Sequence, residues 1–124
     1  MNCIFCKINN NEAPSYTIYE DDVIRVMLDI HPEECGHCLI IPKKHYQDIE
    51  DIDINTLNHI MMIYKKMHNH IKEKLNIDGL TITQNNGIVE EVKHFHLHLV
   101  PKYNVKPKYS IEEVYEILKT NDLM

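Results

Sequence analysis

No apolar run in the 124 residues approaches the roughly 20 needed to span a bilayer. Nor does the amino end, Met1-Asn2-Cys3-Ile4-Phe5-Cys6-Lys7, carry the apolar stretch of a secretory leader. A cytoplasmic protein with no membrane partner is the expectation. Basic charge is also scarce. Thirteen Lys and Arg stand against 19 Asp and Glu, for a net charge of −6. Duplex nucleic acid is recognised through a basic face that neutralises phosphates, so nucleic acid is excluded as the main partner. Glycine is limited to three residues, and no Gly/Ser linker, low-complexity tract or internal repeat divides the chain. A single domain over 1–124 follows, with its core over about 3–102 and a tail ending in a helix over 103–124. Cysteine numbers only four. In a reducing compartment the pairs Cys3/Cys6 and Cys35/Cys38 point to metal or redox chemistry and not to disulfides, with zinc foremost.

What is present suffices for one globular core: 44% of the residues are hydrophobic and 26% charged. Tyr16–Tyr19 and Val23–Ile30 read as strands around the turn Glu20-Asp21-Asp22. His37–Ile41 is a short apolar run between Gly36 and Pro42, which suits a buried strand. Leu57, Ile60, Met61, Tyr64, Met67, Ile71 and Leu75 recur at steps of three and four, predicting the main amphipathic helix over Asn55–Leu75, with its methionines as core filling. Alternation over Gly79–Gln84 and again over Val92–Val100, with the turn signal Asn85-Asn86-Gly87 between, gives two more strands. Ile111–Lys119 closes the chain as a helix. Five strands, mostly antiparallel by their short connections, with one long helix on a face make the class α+β.

The densest chemistry lies in His94-Phe95-His96-Leu97-His98-Leu99-Val100. On a strand, His94, His96 and His98 form one row and Phe95, Leu97 and Leu99 the opposite, core-facing row. At about 3.3 Å per residue, His94 and His98 start roughly 13 Å apart, too far for three rings to surround one zinc. One end of the row is therefore assigned to structure and the rest to a substrate. A neutral imidazole is nucleophilic at one ring nitrogen when the other is held as a donor, and His96, flanked on both sides, is best placed for that role. His31, His59, His68 and His70 show no partner spacing and are expected in solvent.

This His-φ-His-φ-His-φ-φ pattern resembles the signature of the histidine triad (HIT) family. Leu28-Asp29-Ile30 with Pro32, Gly36 through His45, and Asn85-Asn86-Gly87 resemble that family's other conserved stretches. The likeness runs collinearly from about Cys3 to Lys102 and is nearer to the Hint branch than to the Fhit branch. It implies a HIT-like fold and a nucleotidyl hydrolase acting on purine nucleoside phosphoramidates or adenylylated conjugates, with no catalytic cofactor. His96 would form a covalent nucleotidyl-imidazole, His98 would hold an α-phosphate oxygen, and His37 would support the triad from behind. Asp29 would bind the ribose hydroxyls, Phe5, Ile8, Met27 and Ile30 would line the base site, and Asn85 would help position the phosphates. A symmetric homodimer with sheets joined across the two-fold is also implied.

Where the family carries a Gln four residues before the first triad histidine, its amide directed to the leaving-group side, this chain has Glu90, which the resemblance makes a nucleotide-site candidate in a loop about two residues short. A carboxylate cannot donate a hydrogen bond unless protonated, and it repels an anionic phosphate. Glu90→Gln is therefore expected not to lower turnover of an adenosine phosphoramidate. Cys3-x-x-Cys6 has the spacing of half a tetrahedral zinc site. Cys35-x-x-Cys38 is one way to complete it. The resemblance implies another, with Cys3, Cys6, His45 and His94 holding a structural zinc and leaving His96 and His98 to the substrate. Alternative activities are diadenosine polyphosphate hydrolysis, or a zinc-stabilised nucleotide-binding module with little turnover.

Overall fold

The structure, a computed structural model, describes residues 3–123. A short helix α1 (Ile4–Asn9) leads into strands β1 (Thr17–Glu20), β2 (Ile24–Leu28) and β3 (Cys38–Pro42). The long helix α2 (Ile54–Leu75), strands β4 (Gly79–Thr83) and β5 (Leu97–Lys102), and helix α3 (Ile111–Leu118) follow. The five strands form one sheet in the order β1-β2-β3-β5-β4, antiparallel throughout, so the α+β expectation holds.

Period-two alternation sorts the central strands into two faces. Ile24, Val26, Leu28, Cys38, Ile40, Leu97 and Leu99 pack on Ile60, Ile63, Met67 and Ile71 of α2 in the larger core. Met27, Leu39 and Ile41 face the other way and pack under α1 with Cys3, Phe5 and Ile8. Because α1 covers that second face, β2 and β3 are buried along their whole length and show no polar alternation.

The helix ends are chemically marked. Asp53 caps α2 by accepting from the Asn55 and Thr56 amides, and Asn76 closes it in the left-handed region at φ 52°. Ser110 and Glu113 form a reciprocal capping box on α3.

Three sequence expectations need correction, and one element is additional to them. Val92–Val100 is not one strand, since β5 begins at Leu97 and the stretch before it runs outside the ladder. Pro42, which has no N–H to offer, ends β3, while the Pro42 carbonyl accepts from the His94 ring and the Phe95 amide donates to the Tyr46 carbonyl at 2.7 Å. The boundary placed near residue 102 is not an edge of the core, because Val114, Leu118 and Leu123 lie in the larger cluster and the Thr120 amide bonds the Ile18 carbonyl. Helix α1 was not anticipated. His59, His68 and His70 are half-buried with partners: Asp21 at 2.7 Å, the Tyr64 hydroxyl at 3.0 Å and the Leu118 carbonyl at 2.6 Å.

Candidate active site

The face of the sheet that carries α1 holds a largely apolar cavity of about 400 Å³. Its floor follows from register. Met27 pairs with Leu39, and Leu39 pairs with His98, so three adjacent strands present these side chains on one face. Phe5 and Ile8 form the α1 wall, Asp29 and Ile30 the rim beyond β2, and His96 and His98 the polar end. Gly36 sets the turn that aims His37. Its φ is +85°, and a Cβ there would stand 2.6 Å from Leu75 Cδ1, so only glycine fits.

Hydrogen bonding fixes which nitrogen of each ring carries the proton. A carbonyl oxygen only accepts, so the 2.8 Å contact from His96 Nδ1 to the His94 carbonyl places the proton on Nδ1. His96 Nε2 is then the lone-pair nitrogen. The ring is only 4% exposed and belongs to the cavity wall, with Phe5 packed edge-on against it. His37 Nδ1 accepts from the Glu33 amide at 3.1 Å, so His37 Nε2 donates to His98 Nδ1 at 2.9 Å. His98 Nε2 is left as a donor, and the two triad rings lie 4.8 Å apart between centroids. A lone pair and an N–H donor thus stand side by side at one end of the cavity.

Burial holds both members of this relay neutral. It is the first cause lowering His37 below the ordinary 6.5, assisted by Lys102 and opposed by the Asp29, Glu33 and Glu91 carboxylates. His98 is likewise lowered, by burial first and then by the neighbouring His96 and His37, against Asp29 and Glu91. The unfolded chain therefore takes up protons at these positions before the folded one does. Their contribution to stability is complete above about pH 6.5 and is lost as pH falls through the lower folded values. Any activity that needs the neutral relay should keep its acid limb below pH 6.5, and a pH profile of kcat with that limb at or above 6.5 would contradict the relay.

A second cluster lies at the other end of the histidine row. One ligand atom from each of Cys3, Cys6, His45 and His94 falls within 4.8 Å of the others. His94 Nδ1 is 3.4 Å from Cys3 Sγ, 3.6 Å from Cys6 Sγ and 3.1 Å from His45 Nδ1, and Cys6 Sγ is 3.3 Å from His45 Nδ1. Zinc bonds of about 2.3 Å to sulfur and about 2.0 Å to nitrogen at tetrahedral angles require separations of about 3.5 Å and 3.3 Å, so the donor set fits a zinc ion. The Pro42 carbonyl accepts from His94 Nε2 at 2.9 Å, which leaves Nδ1 unprotonated and pointing at the other three donors, the usual outer-shell device for a metal-bound imidazole. Without a cation, burial pushes the Cys6 thiol up to about 11, aided by Cys3, and lowers His94 to about 4. A dication favours the thiolates that bind it and reverses that tendency for sulfur. Cys38 is wholly buried, bonds the Gly36 carbonyl and is pushed up to about 12, and neither it nor Cys35 joins the cluster.

Of the residues singled out in sequence, Phe5, Ile8, Met27, Asp29, Ile30, His96 and His98 meet in the cavity wall. His37 stands behind His98, where it also lies 3.6 Å from Asp29. Asn85 and Glu90 are outside the wall. Glu90 Oε1 accepts from the Gly87 amide at 3.0 Å and its Oε2 is buried without a partner, so the side chain stitches its own loop. Its neighbour Glu91 lines the cavity instead, together with Val92, Leu39 and Ile4. Leu39 was legible from the β2–β3 register. Which of two adjacent carboxylates faces the site was not, because the single 3-10 turn Gly87–Val89 decides it. Tyr109, Ile111 and Val114 line a recess of only about 50 Å³ with Asp29 and His37, so the start of α3 backs the relay.

The chain is thus a small α+β domain with an apolar cavity, a histidine relay at one end of it and a Cys2His2 cluster behind. The HIT domain model matches residues 10–105, and the chain belongs to the HIT domain family. An uncharacterised HIT-like protein of Methanocaldococcus jannaschii is 43% identical over 103 residues, covering 82% of this chain and 79% of that one. An adenosine 5'-monophosphoramidase of Saccharomyces cerevisiae is 41% identical over 106 residues, covering 84% of this chain and 65% of that enzyme. Among solved structures, a zinc-bound histidine triad protein of Mycobacterium smegmatis superposes with a TM-score of 0.88 at 34% identity, covering 96% of this chain and 91% of that one.

Proposed function

We propose that the protein is a nucleotidyl hydrolase that cleaves purine nucleoside phosphoramidates or related adenylylated conjugates at the α-phosphorus. The observation that carries this reading is the unprotonated Nε2 of His96 at the cavity wall, with its Nδ1 proton held by the His94 carbonyl. With the base on Met27 and Ile8 and the ribose at Asp29, the phosphate falls at the histidine end. His96 Nε2 bonds to phosphorus, the P–N bond to the leaving amine breaks, and the amine takes a proton from solvent. His98 Nε2–H donates to a phosphate oxygen whose charge grows in the transition state. Water then cleaves the P–N bond to His96, releasing nucleoside monophosphate and restoring the imidazole. The Saccharomyces relative's phosphoramidase name supports this substrate class.

Zinc fits the Cys3, Cys6, His45 and His94 set as a structural ion that ties α1 to the segment carrying His96. The chemistry it supplies is structural only. We place the protein in the cytoplasm, where its four free cysteines stay reduced. Its functional unit is taken as a homodimer joined along the open edge strand β4 and the outer face of α2, where Ile82, Met61 and Met62 are exposed. Sizing at the mass of one chain would remove the dimer.

Glu90→Gln tests the loop's part in this scheme. The substituted amide keeps an oxygen for the Gly87 amide, so kcat/KM for an adenosine phosphoramidate should stay within about twofold of wild type. A loss well beyond that would give Glu90 a direct role in catalysis.

A further inference from the structure

We propose that the base end of the cavity selects guanine over adenine through Arg25 and Glu12, a reading that rests on the nucleotide assignment above. A second recess of about 420 Å³ shares Ile8, Ala13, Pro14 and Ser15 with the cavity. Beyond those residues the lining turns from apolar to polar, with Asn11, Glu12, Thr17 and Arg25.

Strand β2 supplies a ruler. Arg25 and Met27 follow one another on the same face, about 6.6 Å apart, and Asp29 comes just beyond the strand's end. Asp29 clusters with His37 and His98 and so marks the phosphate end. A nucleotide with its phosphate at His96, its ribose at Asp29 and its base on Met27 extends the far edge of that base towards Arg25.

Arg25 is 6% exposed and held from three sides. Its Nε donates to Asn9 Oδ1 at 3.2 Å, Nη1 to Thr17 Oγ1 at 2.7 Å, and Nη2 lies 3.0 Å from Glu20 Oε2. A guanidinium has five N–H groups, so one on each terminal nitrogen is not engaged by these contacts. Glu20 is shared with Lys43 at 3.1 Å, so two cations stand on one carboxylate and the cluster keeps net positive charge. Glu12, exposed on the same recess, supplies only acceptors.

Guanine presents the O6 and N7 acceptors beside the N1–H and N2–H donors. That edge matches a guanidinium on one side and a carboxylate on the other. Adenine keeps the N7 acceptor but reverses the sign at positions 6 and 1. Its 6-amino group would meet the Arg25 donors, and its N1 lone pair would meet the Glu12 oxygens. Holding α1 to β1 explains why Arg25 is buried, but it leaves the polar recess beyond the base unused.

Calorimetric titration of the intact protein with GMP and with AMP reads this directly, without turnover. Wild type should bind GMP about tenfold more tightly, the scale of one matched base-edge contact. In Glu12→Gln, a surface change that leaves the fold alone, the GMP/AMP ratio should collapse to about twofold or less, and Arg25→Lys should lower it as well. Equal affinities in wild type, a preference for AMP, binding of neither nucleotide, or an undiminished ratio in Glu12→Gln would each overturn the proposal. The hydrolase reading fails separately. If GMP is preferred but neither guanosine nor adenosine phosphoramidate is cleaved, the base selection stands and the catalytic scheme falls.

Discussion

Replacing His96 with Ala should lower phosphoramidate cleavage by about 10⁴-fold or more, the scale seen when the nucleophile of a covalent mechanism is removed. Nucleoside monophosphate affinity should change far less, because the residues proposed for the base and ribose, Phe5, Ile8, Met27 and Asp29, lie outside the triad segment. His98→Ala should cost less than His96→Ala, since it removes one donor to the phosphate and leaves the attacking nitrogen, a deletion worth roughly 10²–10³ in kcat. Steady-state assays with an adenosine phosphoramidate, paired with monophosphate titrations, separate the two. Equal losses in both variants would contradict this division of roles between His96 and His98.

Loss of the metal should be the largest effect on stability. An ion that binds only the folded chain adds about 4 kcal/mol when present at a thousand times its Kd. For a domain of this size that corresponds to roughly 10–20 °C in Tm. Cys3→Ser or chelation should release one zinc per chain and lower Tm by that amount. Cys35→Ser should leave the zinc in place, because Cys35 lies outside the ligand cluster. Metal analysis and thermal melts of the two variants decide between the pairs, and zinc lost from Cys35→Ser would transfer the site to the other cysteines. The metal's contribution should also fade in acid, as protons compete for the sulfurs and imidazoles that bind it.

Much of this site was legible because a strand's period of two is a strict rule. Once β2, β3 and β5 are read as strands, Met27, Leu39 and His98 share a face whatever the details of the fold. The row of histidines against Phe95, Leu97 and Leu99 survives for the same reason, even though the ladder itself starts only at Leu97. Helix α1 was hidden because six residues hold too few turns to show a period, and its cap is a cysteine sulfur accepting from the Cys6 amide. The partners of His59 and His70 lie 38 and 48 residues away, so no local pattern could carry them. Likewise α3 reads as an appended helix in sequence, and only the placement of Leu118 against the core shows that it belongs there.

The stereochemical course at phosphorus tests the central claim most directly. With a phosphorothioamidate of defined configuration hydrolysed in isotopically labelled water, attack by His96 followed by attack by water gives two in-line displacements and net retention. Net inversion would mean that water attacks phosphorus in a single step, and the covalent role assigned to His96 would be lost.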